Sequence, residues 1–220
     1  MAKVMVVGAS RGIGLELCRQ LKARGDEVIG TCRSATPALA SLGVRVESGV
    51  DVADDASVKA LAARLAGEAL DVLVINAGVL DNVSLSSLDF DSIRRQFEVN
   101  AVGPLRVAAA LLPNLRRGSK LAIVTSRMGS IADNGSGGHY GYRMSKAAAN
   151  MAGVSLAHDL KPSGVAVVML HPGFVRTDLT RGRGDCDPPE AASGLIVSID
   201  RLGPEATGTF VHANGERLAW

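Results

Sequence analysis

The chain predicts an α/β fold: a doubly wound parallel sheet in a three-layer α/β/α arrangement, built as one domain over residues 1–220. Three observations carry this. Short apolar runs alternate with longer amphipathic stretches from end to end. A glycine-rich loop stands directly between the first apolar run and the first amphipathic stretch. The other loops of unusual composition, Asp51-Val52, Asn76–Gly78, Ser126–Gly138 and Pro172–Asp178, each follow a predicted strand. Right-handed crossovers bring such loops to one edge of the sheet, where ligands bind in folds of this kind.

Lys3–Val7 reads as a buried strand, followed by the loop Gly8–Gly14 and a helix over Leu15–Ala23 with Leu17, Cys18 and Leu21 on one face. Glu27–Cys32 is a second strand after a Gly25-Asp26 turn, Ala35–Leu42 a weak helix and Val44–Val50 a third strand. Ser57–Ala69 is helical in pattern, and Asp71–Ile75 is a fourth strand. Leu88–Leu115 is the longest helical pattern. Leu121–Thr125 is a fifth strand, Tyr142–Leu160 a small-residue helix and Val165–Leu170 a sixth strand. Pro189–Leu202 is helical, and Thr209–Trp220 reads as a short strand, an Asn214-Gly215 turn and an extended piece.

Composition narrows the function classes. A net charge of +2 with scattered arginines and few aromatics argues against a nucleic-acid partner. No apolar stretch approaches the roughly 20 residues of a membrane helix, and the N-terminal apolar run is too short for a secretory signal. Cys18, Cys32 and Cys186 are odd in number and lack metal-ligand spacing. They read as reduced thiols in a cytoplasmic protein with no metal site.

The loop Gly8-x-x-x-Gly12-x-Gly14 joins strand to helix. Glycines permit a tight turn and close backbone approach, and a helix N-terminus stabilises a pyrophosphate. A simple turn is the competing reading. The second strand ends in Thr31-Cys32-Arg33-Ser34, with no carboxylate to accept from a ribose 2′-hydroxyl. Arg33, helped by Arg11, can instead pair with a 2′-phosphate, which favours NADP(H) over NAD(H). Asp51, with Val52 beside it, suits an adenine contact or a plain turn. Asn76, Ala77 and Gly78 form a small-residue strand end that either lets a cofactor lie close or is a simple turn.

Tyr142 and Lys146 stand four apart, a spacing that puts phenol and ammonium on one helix face. A cation there lowers the tyrosine pKa and suits it to proton transfer at a carbonyl or alcohol oxygen. Tyr140 has Met144 at the same spacing. Asn100 lies four residues before Pro104, which has no N–H to offer, so the Asn100 carbonyl is free to hold a water; a plain proline kink is the competing reading. His171 reads as a packed or solvated histidine rather than a catalyst.

Together these residues resemble the short-chain dehydrogenase/reductase family over nearly the whole chain, which implies a Rossmann-type fold. The resemblance implies a catalytic set of Asn100, Ser126, Tyr142 and Lys146. It implies cofactor contacts from Gly8, Ser10, Gly12, Ile13, Gly14, Asp51 and Asn76–Gly78, with Lys146 also on the ribose. Pro172, Gly173, Val175 and Thr177 match the segment that holds the nicotinamide carboxamide. Val7 and Ile75 depart from the usual threonine and asparagine, and the gap from Ser126 to Tyr142 is about three residues longer than usual, with Ser130 as the alternative serine. The stretch Ser126–Lys146, the segment HPGFVRTD and Trp220 are similar to the C-factor-like branch and to small carbonyl reductases. The implied protein reduces a small carbonyl or oxidises an alcohol, as a homodimer or homotetramer. A nucleotide-binding signalling protein on the same fold is the second reading, and a methyltransferase on a related sheet the third.

Overall fold

A computed structural model describes residues 1–220. The sheet grows outward from β1 (Lys3–Val7), which pairs in parallel with β2 (Glu27–Thr31) on one side and β4 (Leu70–Ile75) on the other. With β3 (Arg45–Glu47), β5 (Leu115–Val124), β6 (Ala166–His171) and β7 (Thr209–His212) the strand order is β3-β2-β1-β4-β5-β6-β7, every neighbour parallel. Strand order reverses between β1 and β4, which opens a crevice at their carboxyl ends.

Both faces are covered. Met5, Val7, Leu73, Ile75 and Ile123 pack under α3 (Asp55–Arg64), α5 (Gly103–Leu111) and α6 (Tyr140–Leu160), through Leu61, Leu111 and Leu156. Val4, Val6, Val72 and Val74 pack against α1 (Gly12–Ala23) and α7 (Pro188–Arg201), through Leu17, Leu21 and Leu195. Burial on both sides is why these strands read as unbroken apolar runs.

Five elements differ from the sequence expectation. The helix expected over Leu88–Leu115 is broken into α4 (Phe90–Phe97), a π-helical turn over Glu98–Val102, α5, and a 3₁₀ turn over Leu112–Asn114. Within the π turn the Gly103 N–H donates to the Glu98 carbonyl, one residue further back than in an α-helix. Pro104 thereby falls in the first turn of α5, where a missing N–H is tolerated, and no kink is needed. β5 begins at Leu115, because the polar residues Arg116–Ser119 form an irregularity between the Leu115–Leu70 and Lys120–Val72 pairs. Helix α6 starts two residues before Tyr142, and β3 and α2 (Pro37–Ala40) are shorter than expected.

Candidate active site

The glycine loop and the end of β4 are knitted together. Gly8 has φ +88, and a Cβ there would lie 2.8 Å from the Ala77 backbone. A Cβ on Gly14 would lie 2.1 Å from the Gly8 carbonyl oxygen, to which Asn76 Nδ2 donates at 2.8 Å. Gly14 thus packs helix on loop, while Gly8, Ser10, Arg11, Gly12 and Ile13 line a cleft of about 390 Å³. Arg33, Asp51, Val52, Asn76, Ala77, Gly78 and Thr177 complete its wall. One Asp51 oxygen accepts from the Ala53 N–H at 2.9 Å, so the turn reading of this residue holds as well. Arg33 has no carboxylate within ion-pair distance, whereas Arg11 reaches across the cleft mouth to Asp178 at 2.9 Å. Pro172, Gly173 and Val175 line the neighbouring cavity, not the cleft.

That cavity, about 380 Å³, shares Ile13, Thr177 and Leu179 with the cleft. Ser126 and Tyr142 face it. Ser126 directly follows Thr125 at the end of β5 and caps a 3₁₀ turn, its Oγ accepting from the Met128 N–H at 3.2 Å. The Ser130 hydroxyl also accepts a loop N–H, that of Asp133 at 3.1 Å, but Ser130 does not line the cavity. Ser126 is therefore the serine beside the tyrosine. The extra residues of the long gap project outward as the exposed segment 131–136.

Behind Ser126, Gly129 lets its turn press on α6: a Cβ there would lie 2.8 Å from the Lys146 carbonyl oxygen. Lys146 Nζ donates to the Val124 carbonyl at 3.0 Å and sits 5.7 Å from the Tyr142 ring centroid. The buried Asn100 side chain clamps Val79, accepting from its N–H and donating to its carbonyl at 2.8 Å each, and donates to Ser145 Oγ at 3.0 Å. A Cβ on Gly78 would lie 3.2 Å from Asn100 Oδ1 and 3.7 Å from Lys146 Nζ, so the two meet behind that glycine.

Electrostatics differ from the sequence expectation. Burial pushes the Tyr142 phenol up to about 12, against an opposing pull from the Ser126 hydroxyl. Burial also brings the Lys146 ammonium down to about 8. Desolvation of each group outweighs any help the cation gives the phenolate. At neutral pH the site therefore holds a protonated phenol, ready to donate. His171 is held neutral, at about 3, mainly by burial, with its ring edge-on to His212 at 4.9 Å. Of the packed and solvated readings, the packed one holds.

Sequence reasoning missed a group of cations beyond Tyr142. Arg143, Arg181 and Arg183 line a further cavity of about 410 Å³. The density of arginine in the loop after β6 was the one available signal.

The family model described as "short chain dehydrogenase" matches residues 2–186. The 1-hydroxy-2-glutathionyl-2-methyl-3-butene dehydrogenase of Rhodococcus sp. (strain AD45) is 50% identical over 226 aligned positions, covering 100% of both chains. C-signal of Myxococcus xanthus is 44% identical over 166 positions, 74% of this chain and 100% of that protein. Among solved structures, the NADPH-bound carbonyl reductase from chicken fatty liver superposes with a TM-score of 0.91 at 30% identity, covering 100% of this chain and 99% of that one.

Proposed function

The chain belongs to the short-chain dehydrogenase family, and from that premise we propose that residues 1–220 work as one NADP(H)-dependent oxidoreductase domain interconverting a carbonyl and an alcohol. The observation that carries this reading is the shared wall between a glycine-floored cleft and a cavity presenting Ser126 and Tyr142.

The residues fit the cofactor. Gly8 and Gly12 line the cleft with bare backbone, a Cβ on Gly8 would lie 2.8 Å from the Ala77 backbone, and Arg33 is a cation without an ion partner at its rim. The loop Gly8–Gly14 and the start of α1 would hold the pyrophosphate, Arg33 and Arg11 the 2′-phosphate, and Asp51 and Val52 the adenine. Asn76–Gly78 would lie along the ribose side, and Pro172, Gly173, Val175 and Thr177 at the carboxamide. When bound, NADPH supplies the hydride.

Tyr142 donates its phenolic proton to the oxygen on which charge develops. Ser126 hydrogen-bonds that oxygen and stabilises the charge. Lys146 leaves the Val124 carbonyl to hold the ribose and refill the tyrosine. The Asn100 carbonyl holds a water that connects Lys146 to solvent. Reduction needs the phenol, so its rate is flat through neutral pH and falls in strong alkali. Oxidation needs the phenolate and rises with pH.

The test is an NADPH-oxidation screen over quinones, diketones, aldehydes and keto-esters, with NADH in parallel. Tyr142→Phe is expected to cut kcat about a thousandfold while NADPH binding, read by fluorescence, is kept. Turnover within a few-fold of the parent would overturn the assignment. A role confined to nucleotide binding is not favoured, since it leaves the buried tyrosine and lysine without a purpose. The protein is cytoplasmic on this reading, in keeping with three unpaired cysteines. Exposed Phe90, Phe97, Leu105, Met144 and Met151 on α4, α5 and α6 support a homodimer or homotetramer, which light scattering would measure.

A further inference from the structure

The third cavity has features that the hydride and proton chemistry leaves unused. It continues from the Ser126–Tyr142 cavity, sharing Leu80, Met128, Arg143, Phe174 and Leu179 with it. Three arginines line it and no carboxylate does. Arg143 is engaged only by neutral groups, donating to Ser136 Oγ at 2.8 Å and to the Gly137 carbonyl at 3.2 Å. Arg183 donates to the Thr180 carbonyl at 3.4 Å. Neither these two nor Arg181 has an acidic partner, whereas Arg11, Arg127 and Arg176 nearby are paired with Asp178, Asp133 and Asp187. Cations gathered without counter-charges repel one another, an arrangement that an anionic ligand relieves.

The backbone gives a second, independent sign. Only two non-glycine residues in the chain have positive φ, His139 at 49 and Arg181 at 55. Both line this cavity. Each costs conformational energy that a glycine would avoid, and strain of this kind gathers at ligand sites. His139 caps the start of α6, on the turn of chain that leads into Tyr142, while Arg181 closes the 3₁₀ turn over Asp178–Thr180. His139 Nδ1 is buried with no hydrogen-bond partner.

We propose that this cavity binds a carboxylate-bearing tail of the substrate, with Arg143, Arg181 and Arg183 as its anion-binding residues. The reacting carbon sits at Tyr142, and the tail extends past Met128 and Phe174 into the basic cavity. Substrates of this enzyme are thus carbonyls or alcohols with a remote acid group. The assignment rests on the carbonyl–alcohol reading above, and its test separates the two.

Two ketone pairs serve as probes: a short ω-keto acid with its methyl ester, and a ketone-bearing glutathione thioether with its dimethyl ester. Arg181→Gly keeps the left-handed backbone, so the variant Arg181→Gly/Arg183→Ala removes charge without adding strain. In the parent, kcat/KM is expected to favour the acid of at least one pair, by about thirtyfold, and the double variant to erase most of that preference while changing the ester by under about threefold. A preference in the thioether pair alone assigns the tail to a tripeptide-sized acid, and a preference in both assigns it to carboxylates in general. Equal use of acid and ester in both pairs, or equal losses on both in the variant, would overturn the proposal. If no ketone is turned over, the oxidoreductase reading fails, and calorimetry of the same acids and esters on the NADP⁺-loaded protein still decides the site. Binding of acid over ester that disappears in the double variant supports it, and no such difference overturns it.

Discussion

The cleft between β1 and β4 and the cavity beyond β5 share a wall but are made by opposite means. The cleft is made by removing side chains. Gly8, Gly12 and Gly78 bring backbone to where a ligand lies, and the charges at its rim, Arg11 and Arg33, are exposed. The cavity is made by burying polar side chains. Ser126, Tyr142, Lys146 and Asn100 are each under a tenth exposed and held by neighbours on other elements. Exposed cations on a backbone floor recognise charge and shape. Desolvated groups have altered proton affinities, which is what proton transfer requires. Substitutions on the two sides should therefore show up in different measurements.

The largest effect is expected on the buried side. Ser126→Ala removes the hydroxyl facing Tyr142 and should lower kcat about 10²- to 10³-fold with little change in NADPH binding. Ser130→Ala, whose hydroxyl only caps a loop, should stay within about threefold. Comparable losses in the two, measured by steady-state kinetics, would put the wrong serine beside the tyrosine.

Next comes a stability effect that only a buried ammonium produces. The unfolded chain holds the Lys146 proton up to its ordinary value of 10.5, while the folded chain releases it near 8. Between those values the unfolded state binds more protons, so apoprotein stability should rise with pH across that window. Relative to Lys146→Met the gain is about 3 kcal/mol in total, absent below the folded value and complete above the unfolded one. Urea unfolding of both proteins from pH 7 to 10.5 measures it. A pH-independent difference would mean that Lys146 is not desolvated as the structure has it.

The smallest of the three lies on the exposed side. Arg33→Asp should move the NADPH-to-NADH preference by about thirtyfold toward NADH, with unfolding little changed. An unaltered ratio of kcat/KM values would take Arg33 out of the cofactor site and blur the contrast between the two regions.

Much of the fold was legible because a sheet covered on both faces leaves continuous apolar runs, and Lys3–Val7 was read to the residue. Legibility failed where local pattern and tertiary packing part. Leu88–Leu115 keeps helical periodicity through a π turn that only the backbone reveals. Arg116–Ser119 is polar and reads as loop, yet it interrupts a strand already begun at Leu115. In the site, the i,i+4 spacing of Tyr142 and Lys146 was visible, as were the glycines and Arg33. Ser126 was already the serine the resemblance implied, but that it and not Ser130 shares a cavity with Tyr142 depends on how the loop folds.

By itself the sequence determined the order of strands and helices, the placing of its special loops at one sheet edge, and the identity of the groups that could bind a nucleotide or move a proton. These follow from periodicity and side-chain chemistry, which are local. Tertiary structure alone decided the protonation of Tyr142 and Lys146 and the meeting of Arg143 with Arg181 and Arg183 around one cavity. Both depend on desolvation and proximity between segments far apart in the chain, and those exist only once the sheet and its helices have closed over them.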